Sequence, residues 1–202
     1  MAELNLPLNH SIFLCEQKHT DRVILVDEKN IGGAFDQKKQ PVADAMISKS
    51  KNVNLIIYSA DCAPILIFDP VEKIIAAVHS GWRGTIKKIV IKTLQKMEKK
   101  FGAHRKNFKI YIGPSIGPCC YFSKNYEQIE LFQKNYKNLI SRDGKIFIDL
   151  WNCLEKDLQN FGISSQNLEN SRICTACQNK FFASHRADNP RKTTNLSVIS
   201  LI

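Results

Sequence analysis

The chain has 202 residues, 44% of them hydrophobic and 24% charged, a composition that predicts one globular domain with a sizeable core. Its 29 Lys and Arg outnumber 19 Asp and Glu; the net charge of +10 favours anionic ligands, but no nucleic-acid motif accompanies it, so we expect no specific nucleic-acid partner. Apolar runs stay short of the roughly 20 residues of a membrane helix, and the first residues do not resemble a secretory signal, so we expect a cytoplasmic protein with no membrane partner.

Short segments rich in Val, Ile, Phe and Tyr between turn signals predict eight β-strands. They are Val23–Val26, Val53–Tyr58, Pro64–Phe68, Ile74–His79, Phe108–Ile112, Lys145–Ile148, Lys180–Ala183 and Leu196–Leu201. The Asp69-Pro70 pair between two of them predicts a tight antiparallel hairpin. Because no repeat or linker interrupts the pattern, we expect one continuous domain over residues 1–202.

Two helices have clear signals. The first is predicted from near Thr85 to Gly102, because apolar residues recur there at every third or fourth position. The second is predicted after Asp149, its N-cap, and ends at Gly162. Weaker helical patterns cover Val42–Ile47 and Glu127–Leu139. Strands, a hairpin and helices together predict a mixed sheet of α/β or α+β type.

The residues Cys62 and His79 each follow an apolar run. If the strands over residues 53–58 and 74–78 are neighbours in one sheet, both side chains lie at its rim. A thiolate and an imidazole there either bind a metal or act as nucleophile and base. For a metal, His19 is the best third ligand, and two His with one Cys suit Zn²⁺ with an open fourth position. The alternative is that Cys62 is simply a small buried residue.

The segment Gly81-Trp82-Arg83-Gly84-Thr85 joins a strand to the start of the first predicted helix. Free backbone N–H groups and the helix dipole attract an anion at such a place, and Arg83 adds a positive charge. A phosphate or carboxylate would therefore bind beside His79. The same glycines also suit an ordinary strand-to-helix turn.

Seven cysteines form an odd, irregularly spaced set, which predicts reduced thiols. They are Cys15, Cys62, Cys119, Cys120, Cys153, Cys174 and Cys177. The loop Gly113–Tyr121 is rigid in composition and resembles a pocket wall, with Cys119 and Cys120 as packing or loop residues. The lone Cys174-Thr-Ala-Cys177 pair lacks the partners of a zinc finger, so we expect two unrelated thiols near a turn, with a redox role as the alternative.

Five segments follow one another along the chain. They are Gln17-x-His19, Ala60-Asp61-Cys62, His79-Ser-Gly-Trp-Arg-Gly-Thr85, Gly113-Pro-Ser-Ile-Gly-Pro-Cys-Cys-Tyr121 and Cys174-Thr175 with Phe181-Phe182. In that order they resemble the bacterial purine nucleoside phosphorylase family long labelled multicopper polyphenol oxidase or laccase-domain proteins, and Asp44-Ala45 is similar as well. The resemblance runs from about residue 15 to the last residue. It implies a single-domain mixed β-sandwich flanked by helices, of α+β (mixed α/β) class.

The resemblance also implies one Zn²⁺ bound by His19, Cys62 and His79, which are the catalytic residues so implied. The implied activity is phosphorolysis of adenosine, inosine, guanosine and methylthioadenosine with phosphate, together with deamination of adenosine. The older oxidase label would need several coppers, and the five histidines of this chain are too few for such an array.

These implied reactions suggest roles for further residues. In phosphorolysis positive charge builds up on the ribose, and we expect phosphate on Arg83 and the amides of Gly84 and Thr85. We also expect Asp61 to contact substrate. In deamination, a zinc-bound water of lowered pKa would attack the purine carbon that carries the amino group.

Two alternatives stay open at this point. One is a metal-free cysteine hydrolase, in which Cys62 attacks an acyl centre with His79 or His19 as its partner. The other is a catalytically inactive nucleoside-binding module. Its basis is that the family usually carries some tens of residues before the Gln-x-His segment, whereas this chain has about 16. The preferred nucleoside and the oligomeric state are not readable from the sequence.

Overall fold

Twelve β-strands and four α-helices occur in the computed structural model, which describes residues 11–13, 15–27, 40–51, 53–188 and 193–201. The strands are β1 (Ser11–Phe13), β2 (Val23–Val26), β3 (Ala45–Ser48), β4 (Val53–Ser59), β5 (Ala63–Asp69), β6 (Ile74–Ser80), β7 (Lys109–Ile112), β8 (Phe122–Ser123), β9 (Leu139–Arg142), β10 (Lys145–Ile148), β11 (Leu168–Asn170) and β12 (Asn195–Ser200). The helices are α1 (Trp82–Ile86), α2 (Ile89–Phe101), α3 (Tyr126–Tyr136) and α4 (Leu150–Phe161). Short 3₁₀ turns cover Arg105–Asn107 and Ser165–Asn167.

The largest sheet has six strands in the order β11-β7-β5-β6-β3-β2. At its centre β5 and β6 form the predicted antiparallel hairpin, paired from Ala63 with Ser80 to Asp69 with Ile74. The Asp69 carboxylate closes the turn, because its Oδ1 accepts hydrogen bonds from two backbone amides that follow it. Two smaller sheets have the orders β1-β4-β12 and β8-β10-β9.

The two faces of the six-stranded sheet pack against different partners. On β6 the alternate residues Ile74, Ala76 and Val78 contact the apolar faces of α2 and α4, whereas Ile75 and Ala77 pack towards the β1-β4-β12 sheet. Both sides of β6 are thus buried, which explains its unbroken apolar sequence. The result is a mixed α/β fold in which two sheets stack and helices cover one of them, as the sequence predicted.

The first predicted helix is in fact two helices, which corrects the single span expected from Thr85 to Gly102. Helix α1 begins earlier, at Trp82, and the chain then takes a left-handed conformation at Lys88 (φ 60°) before α2 begins. This break directs the Lys88 ammonium to the buried Asp157 carboxylate at 2.6 Å and to the Tyr136 hydroxyl at 2.7 Å. The sequence could not predict the break, since both partners are distant along the chain.

Most other predicted elements are confirmed, with ends shifted by a residue or two. Helix α4 has Asp149 as its N-cap and Gly162 as its left-handed end, and the weak pattern over 127–139 corresponds to α3. Within the described residues, every helix is too short or too polar to cross a membrane.

Two other expectations are wrong, and one condition on which the site prediction was framed is not met. The Val42–Ile47 pattern is not helical, because β3 is buried on both faces and so lacks strand alternation. Residues 180–183 form turns instead of a strand; the amides of Phe181 and Phe182 both donate to the Gln178 carbonyl. Finally, β4 and β6 are not sheet neighbours but belong to two stacked sheets.

Candidate metal and nucleoside site

Three side chains from separate parts of the chain meet at one edge of the large sheet. The ligand atoms of His19, Cys62 and His79 all lie within 4.8 Å of one another. Cys62 Sγ is 3.7 Å from His19 Nε2, and the two imidazole rings meet edge to face with their centroids 5.1 Å apart. His79 is buried, Cys62 is half-buried and His19 is exposed, so the cluster opens to solvent on one side.

Strand register places these residues. His79 lies near the end of β6, where it pairs with Pro64 of β5, and Cys62 precedes β5 by one residue. The rim position expected for Cys62 and His79 therefore arises from the β5–β6 hairpin and not from β4. His19 is brought in by Gln17, whose side-chain amide exchanges two hydrogen bonds, 2.7 and 3.1 Å long, with the backbone of Tyr58 on β4.

A buried carboxylate, Asp44, connects two of the three candidate ligands. Its Oδ1 accepts hydrogen bonds from His79 Nδ1 at 2.8 Å and from the backbone N–H of His19 at 3.0 Å. Its Oδ2 accepts from the backbone N–H and the hydroxyl of Thr20 at 2.6 and 2.7 Å. The register of β3 against β6 explains this contact, since Ala45 pairs with Val78 and the preceding Asp44 then faces His79.

These contacts set the orientation and the charge of the ligands. Because Nδ1 of His79 donates to Asp44, Nε2 is the nitrogen left for a metal. Burial by itself lowers the pKa of His79, but the hydrogen bonds to Asp44 and Cys62 outweigh it and raise the pKa to about 9. For Cys62 burial acts in the opposite direction and raises the pKa, but the hydrogen bonds and charges of His19 and His79 lower it to about 7. Without a metal, His79 is therefore an imidazolium near neutral pH and the Cys62 thiol is close to half ionised there.

A cavity of about 430 Å³ lies directly against the three ligands. Its walls include the aromatic side chains Tyr58, Trp82 and Tyr121, and the cations Arg83 and Arg186. This volume and this mixture of aromatic faces with positive charge suit a small, flat, polar molecule that carries or meets an anion. A larger hollow of about 630 Å³ near Lys49 and Phe68 is lined by lysines, apolar residues and one serine, and offers none of these ligand groups.

Of the four residues expected to bind substrate, two reach the cavity. Arg83 is exposed on its wall, with the guanidinium 4.3 Å from the centroid of the Trp82 ring. Asp61 also lines the cavity, but its carboxylate is already hydrogen-bonded to Thr175, Ser184 and the backbone N–H of Arg186. These hydrogen bonds give Asp61 a structural role: they fix the cavity wall and the left-handed conformation (φ 85°) of Asp61 itself, directly before Cys62.

The other two do not line the cavity, which corrects the predicted anion site. Gly84 and Thr85 are buried. The Thr85 N–H donates to the Gly81 carbonyl at 2.9 Å within α1, so it is not available to a phosphate. Since α1 has five residues, its dipole is also weaker than that of the long helix expected here. The side chain of Arg83 is the part of that prediction that lines the cavity.

Asp44 carries no local signal in the sequence, because one Asp before a strand is not distinctive, and it was recognised only as part of a family-like dipeptide. Thr194, His185 and Arg186 also line the cavity, and so does Tyr121, which belongs to the loop predicted to be a pocket wall.

Fold and site together define a mixed α/β protein in which three side chains able to ligate a metal lie beside a cavity of about 430 Å³. The chain belongs to the family described as multi-copper polyphenol oxidoreductase laccase, whose model matches residues 1–202. It is 35% identical over 179 residues to a purine nucleoside phosphorylase of Bacteroides thetaiotaomicron, covering 84% of this chain and 66% of that one. It is 30% identical to adenosine deaminase RL5 from an unknown prokaryotic organism, covering 84% and 67%.

Solved structures agree on the architecture. The hypothetical protein YfiH of Bacillus licheniformis superposes with a TM-score of 0.89 at 27% identity, covering 96% of this chain and 75% of that one. The present chain thus spans about two thirds of the length of these two curated relatives and three quarters of YfiH.

The donor atoms fit a single metal ion of borderline softness. Two imidazole nitrogens and one thiolate lie close enough to converge on one point, and the Asp44–His79 hydrogen bond is the support that metal-bound histidines usually have. Three protein ligands leave one position for water or substrate, which is the arrangement of catalytic metal sites.

Proposed function

We propose that this protein is a zinc-dependent purine nucleoside phosphorylase that also deaminates adenosine. The observation that carries the proposal is the convergence of His19, Cys62 and His79 at the wall of a cavity with aromatic and cationic lining. The names of the relatives supply the substrate class, since one is a purine nucleoside phosphorylase and another an adenosine deaminase. The substrates would be adenosine, inosine, guanosine and methylthioadenosine, with inorganic phosphate.

Zinc is the ion that this donor set favours, and His19, Cys62 and His79 would hold it. When bound, it would supply a Lewis acid and would lower the pKa of a bound water towards neutrality. The roles of the protein groups follow from the contacts already described. Asp44 holds His79 in the tautomer that leaves Nε2 unprotonated, and Gln17 holds the His19 segment against β4.

In phosphorolysis a phosphate oxygen forms a bond to C1′ of the ribose while the bond from C1′ to the purine nitrogen breaks. Positive charge develops on the sugar, so a phosphate held beside it serves as nucleophile and as counter-ion. We assign phosphate binding to the Arg83 guanidinium, which is the exposed cation closest in sequence to the ligand His79. The aromatic rings of Tyr58, Trp82 and Tyr121 give the purine flat apolar surfaces on which to pack.

One experiment distinguishes phosphorolysis, deamination and a catalytically inactive protein. Zinc-loaded protein is incubated with adenosine, with and without phosphate, and adenine, inosine and hypoxanthine are separated by chromatography. We expect adenine, hypoxanthine and ribose 1-phosphate only with phosphate, and inosine as the sole product without phosphate. Binding of adenosine without any product would instead identify an inactive nucleoside-binding module. Cys62→Ser serves as the control that removes the thiolate ligand.

The lowered pKa of Cys62 and its 3.7 Å distance from His19 support a second candidate, a metal-free cysteine hydrolase. The two candidates differ in what the metal does to Cys62. A hydrolase would react at Cys62 with an acylating electrophile and turn over an ester without metal, and zinc would inhibit it. The phosphorylase requires zinc for turnover.

A further inference from the structure

Four cysteines that looked unrelated in the sequence form a second cluster. The sulfurs of Cys119, Cys120, Cys174 and Cys177 all lie within 4.8 Å of one another. Cys177 Sγ is 3.4 Å from the sulfurs of both Cys119 and Cys120, and all four are free thiols. The expectation that the Cys174-Thr-Ala-Cys177 pair stands alone is therefore wrong, because the adjacent pair at 119 and 120 comes to meet it.

The fold brings the two pairs together through parallel strands. β7 and β11 are parallel neighbours, with Ile112 opposite Asn170, so the segments that follow them leave the sheet at the same edge. Backbone bonds then join these segments, since Ser115 donates to Ile173 at 3.1 Å and Thr175 donates to Ser115 at 3.1 Å. The four thiols are thus carried by two backbone segments that are hydrogen-bonded to each other.

We propose that Cys119, Cys120, Cys174 and Cys177 bind a structural Zn²⁺ ion, distinct from the one expected at His19, Cys62 and His79. A tetrahedral zinc with Zn–S bonds of about 2.3 Å would place its sulfurs about 3.8 Å apart. The two sulfur separations of 3.4 Å, with all four sulfurs within 4.8 Å of one another, agree with that value to within about 1 Å, whereas a disulfide would need about 2.05 Å. Four thiolates with no open position are typical of structural zinc.

The surroundings of the cluster suit a site with excess negative charge, since four thiolates and one Zn²⁺ carry a net charge of −2. The Gly117 N–H donates to Cys174 Sγ at 3.3 Å. The guanidinium groups of Arg142 and Arg186 donate to the carbonyls of Cys119 and Cys120 at 3.0 and 2.9 Å, which brings two positive charges beside the thiols.

A metal here would cross-link two segments that both contact Asp61, a residue in the wall of the nucleoside cavity. Ile116 lines the cavity, and its N–H donates to the Asp61 carbonyl at 2.9 Å. The Thr175 hydroxyl donates to the Asp61 carboxylate at 2.7 Å. Asp61 precedes Cys62, so the four-cysteine cluster supports the turn that carries a ligand of the other site. Zinc in such a site would stabilise the folded chain, because the unfolded chain lacks the assembled ligands.

The test uses Cys62→Ser, which disables the first site and leaves the four cysteines intact. The reduced, metal-stripped variant is titrated with Co²⁺ and its visible spectrum is recorded. We expect one equivalent of Co²⁺ to give the intense charge-transfer and d–d bands of a tetrahedral tetrathiolate complex. These bands should disappear when Cys177→Ala is added to Cys62→Ser and persist when Cys15→Ala is added instead. Absence of the bands in Cys62→Ser, or their persistence without Cys177, would overturn the proposal.

A second measurement needs no substitution and therefore does not depend on the folding of variants. Cys119 and Cys177 are exposed, so an alkylating reagent reaches them readily unless a metal holds them. Mass spectrometry of the native wild-type protein should find both protected by one zinc and both alkylated after chelation. Equal alkylation of Cys119 and Cys177 with and without zinc would refute the site. Both readouts are independent of nucleoside turnover, so this proposal and the proposed function can fail separately.

Discussion

Replacement of Asp44 by Asn tests whether the buried carboxylate supports the metal ligands. The substitution keeps the shape of the side chain but replaces one oxygen by an NH₂ donor. Both oxygens of Asp44 accept hydrogen bonds, Oδ1 from His79 and His19 and Oδ2 from Thr20. In either orientation of the Asn amide, its NH₂ group therefore faces another hydrogen-bond donor. If the amide NH₂ faces His79, the proton of that ring must move to Nε2, the nitrogen needed by the metal.

The size of the effect follows from this geometry. Loss of a carboxylate that orients a metal-bound histidine typically weakens metal binding about 10- to 100-fold. That loss corresponds to about 1.4 to 2.7 kcal/mol of binding free energy. We expect Asp44→Asn to show this loss in competition with a chromophoric zinc chelator, and to lose phosphorolysis at limiting zinc but regain part of it at high zinc.

Asp157 provides the matched control. It is also a buried carboxylate with strong partners, Lys88 and Tyr136, but it lies outside the candidate site. We expect Asp157→Asn to lower the free energy of unfolding by roughly 1–3 kcal/mol, as for other buried hydrogen-bond networks that lose a partner, while zinc affinity stays unchanged. If Asp44→Asn binds zinc at the first site as tightly as the wild type does, the assignment of Asp44 is refuted.

Three further outcomes follow from the site. Gly81→Ala should lose most zinc binding at this site without unfolding the protein, because the new Cβ would lie 2.7 Å from Cys62 Sγ and 3.1 Å from His19 Cδ2; retention of full zinc affinity by the folded variant would contradict this geometry. Arg83→Ala should keep zinc and raise the KM for phosphate at least about tenfold, as expected for a lost charge-assisted contact; an unchanged KM would mean that the phosphate lies elsewhere. Zinc affinity, measured by competition titration, should fall as the pH drops below about 9, because the metal must displace the proton of His79. It should fall more steeply below about 7, because Cys62 is then protonated as well. An affinity that does not change with pH would contradict these pKa values.

Local signals in the sequence were sufficient for most of the fold. The Asp69-Pro70 hairpin and the glycines at 102 and 162 act through their own backbone, so their effects are visible in a few residues. The break at Lys88 was not predictable, because Asp157, the partner that Lys88 contacts there, lies 69 residues away along the chain. The strand β3 was missed since full burial removes the alternation by which a strand is recognised.

The same distinction holds for the site. His19, Cys62 and His79 were identified from residue chemistry and from a family resemblance, and the structure brings them together. Asp44 was not assigned, because its role depends on the register of β3 against β6. The four-cysteine cluster was missed for a similar reason, since its two pairs are separated by more than 50 residues and meet only through the β7–β11 pairing.

The most direct test of the central claim compares zinc-loaded wild-type protein with Cys62→Ser in the phosphorolysis of inosine. Release of hypoxanthine is followed with and without phosphate, and zinc content is measured for both proteins. We expect phosphate-dependent release by the wild type, and loss of both this activity and one zinc equivalent in the folded Cys62→Ser variant. Phosphorolysis by Cys62→Ser at the wild-type rate, or a wild type that turns over inosine equally well after complete removal of metal, would contradict the account.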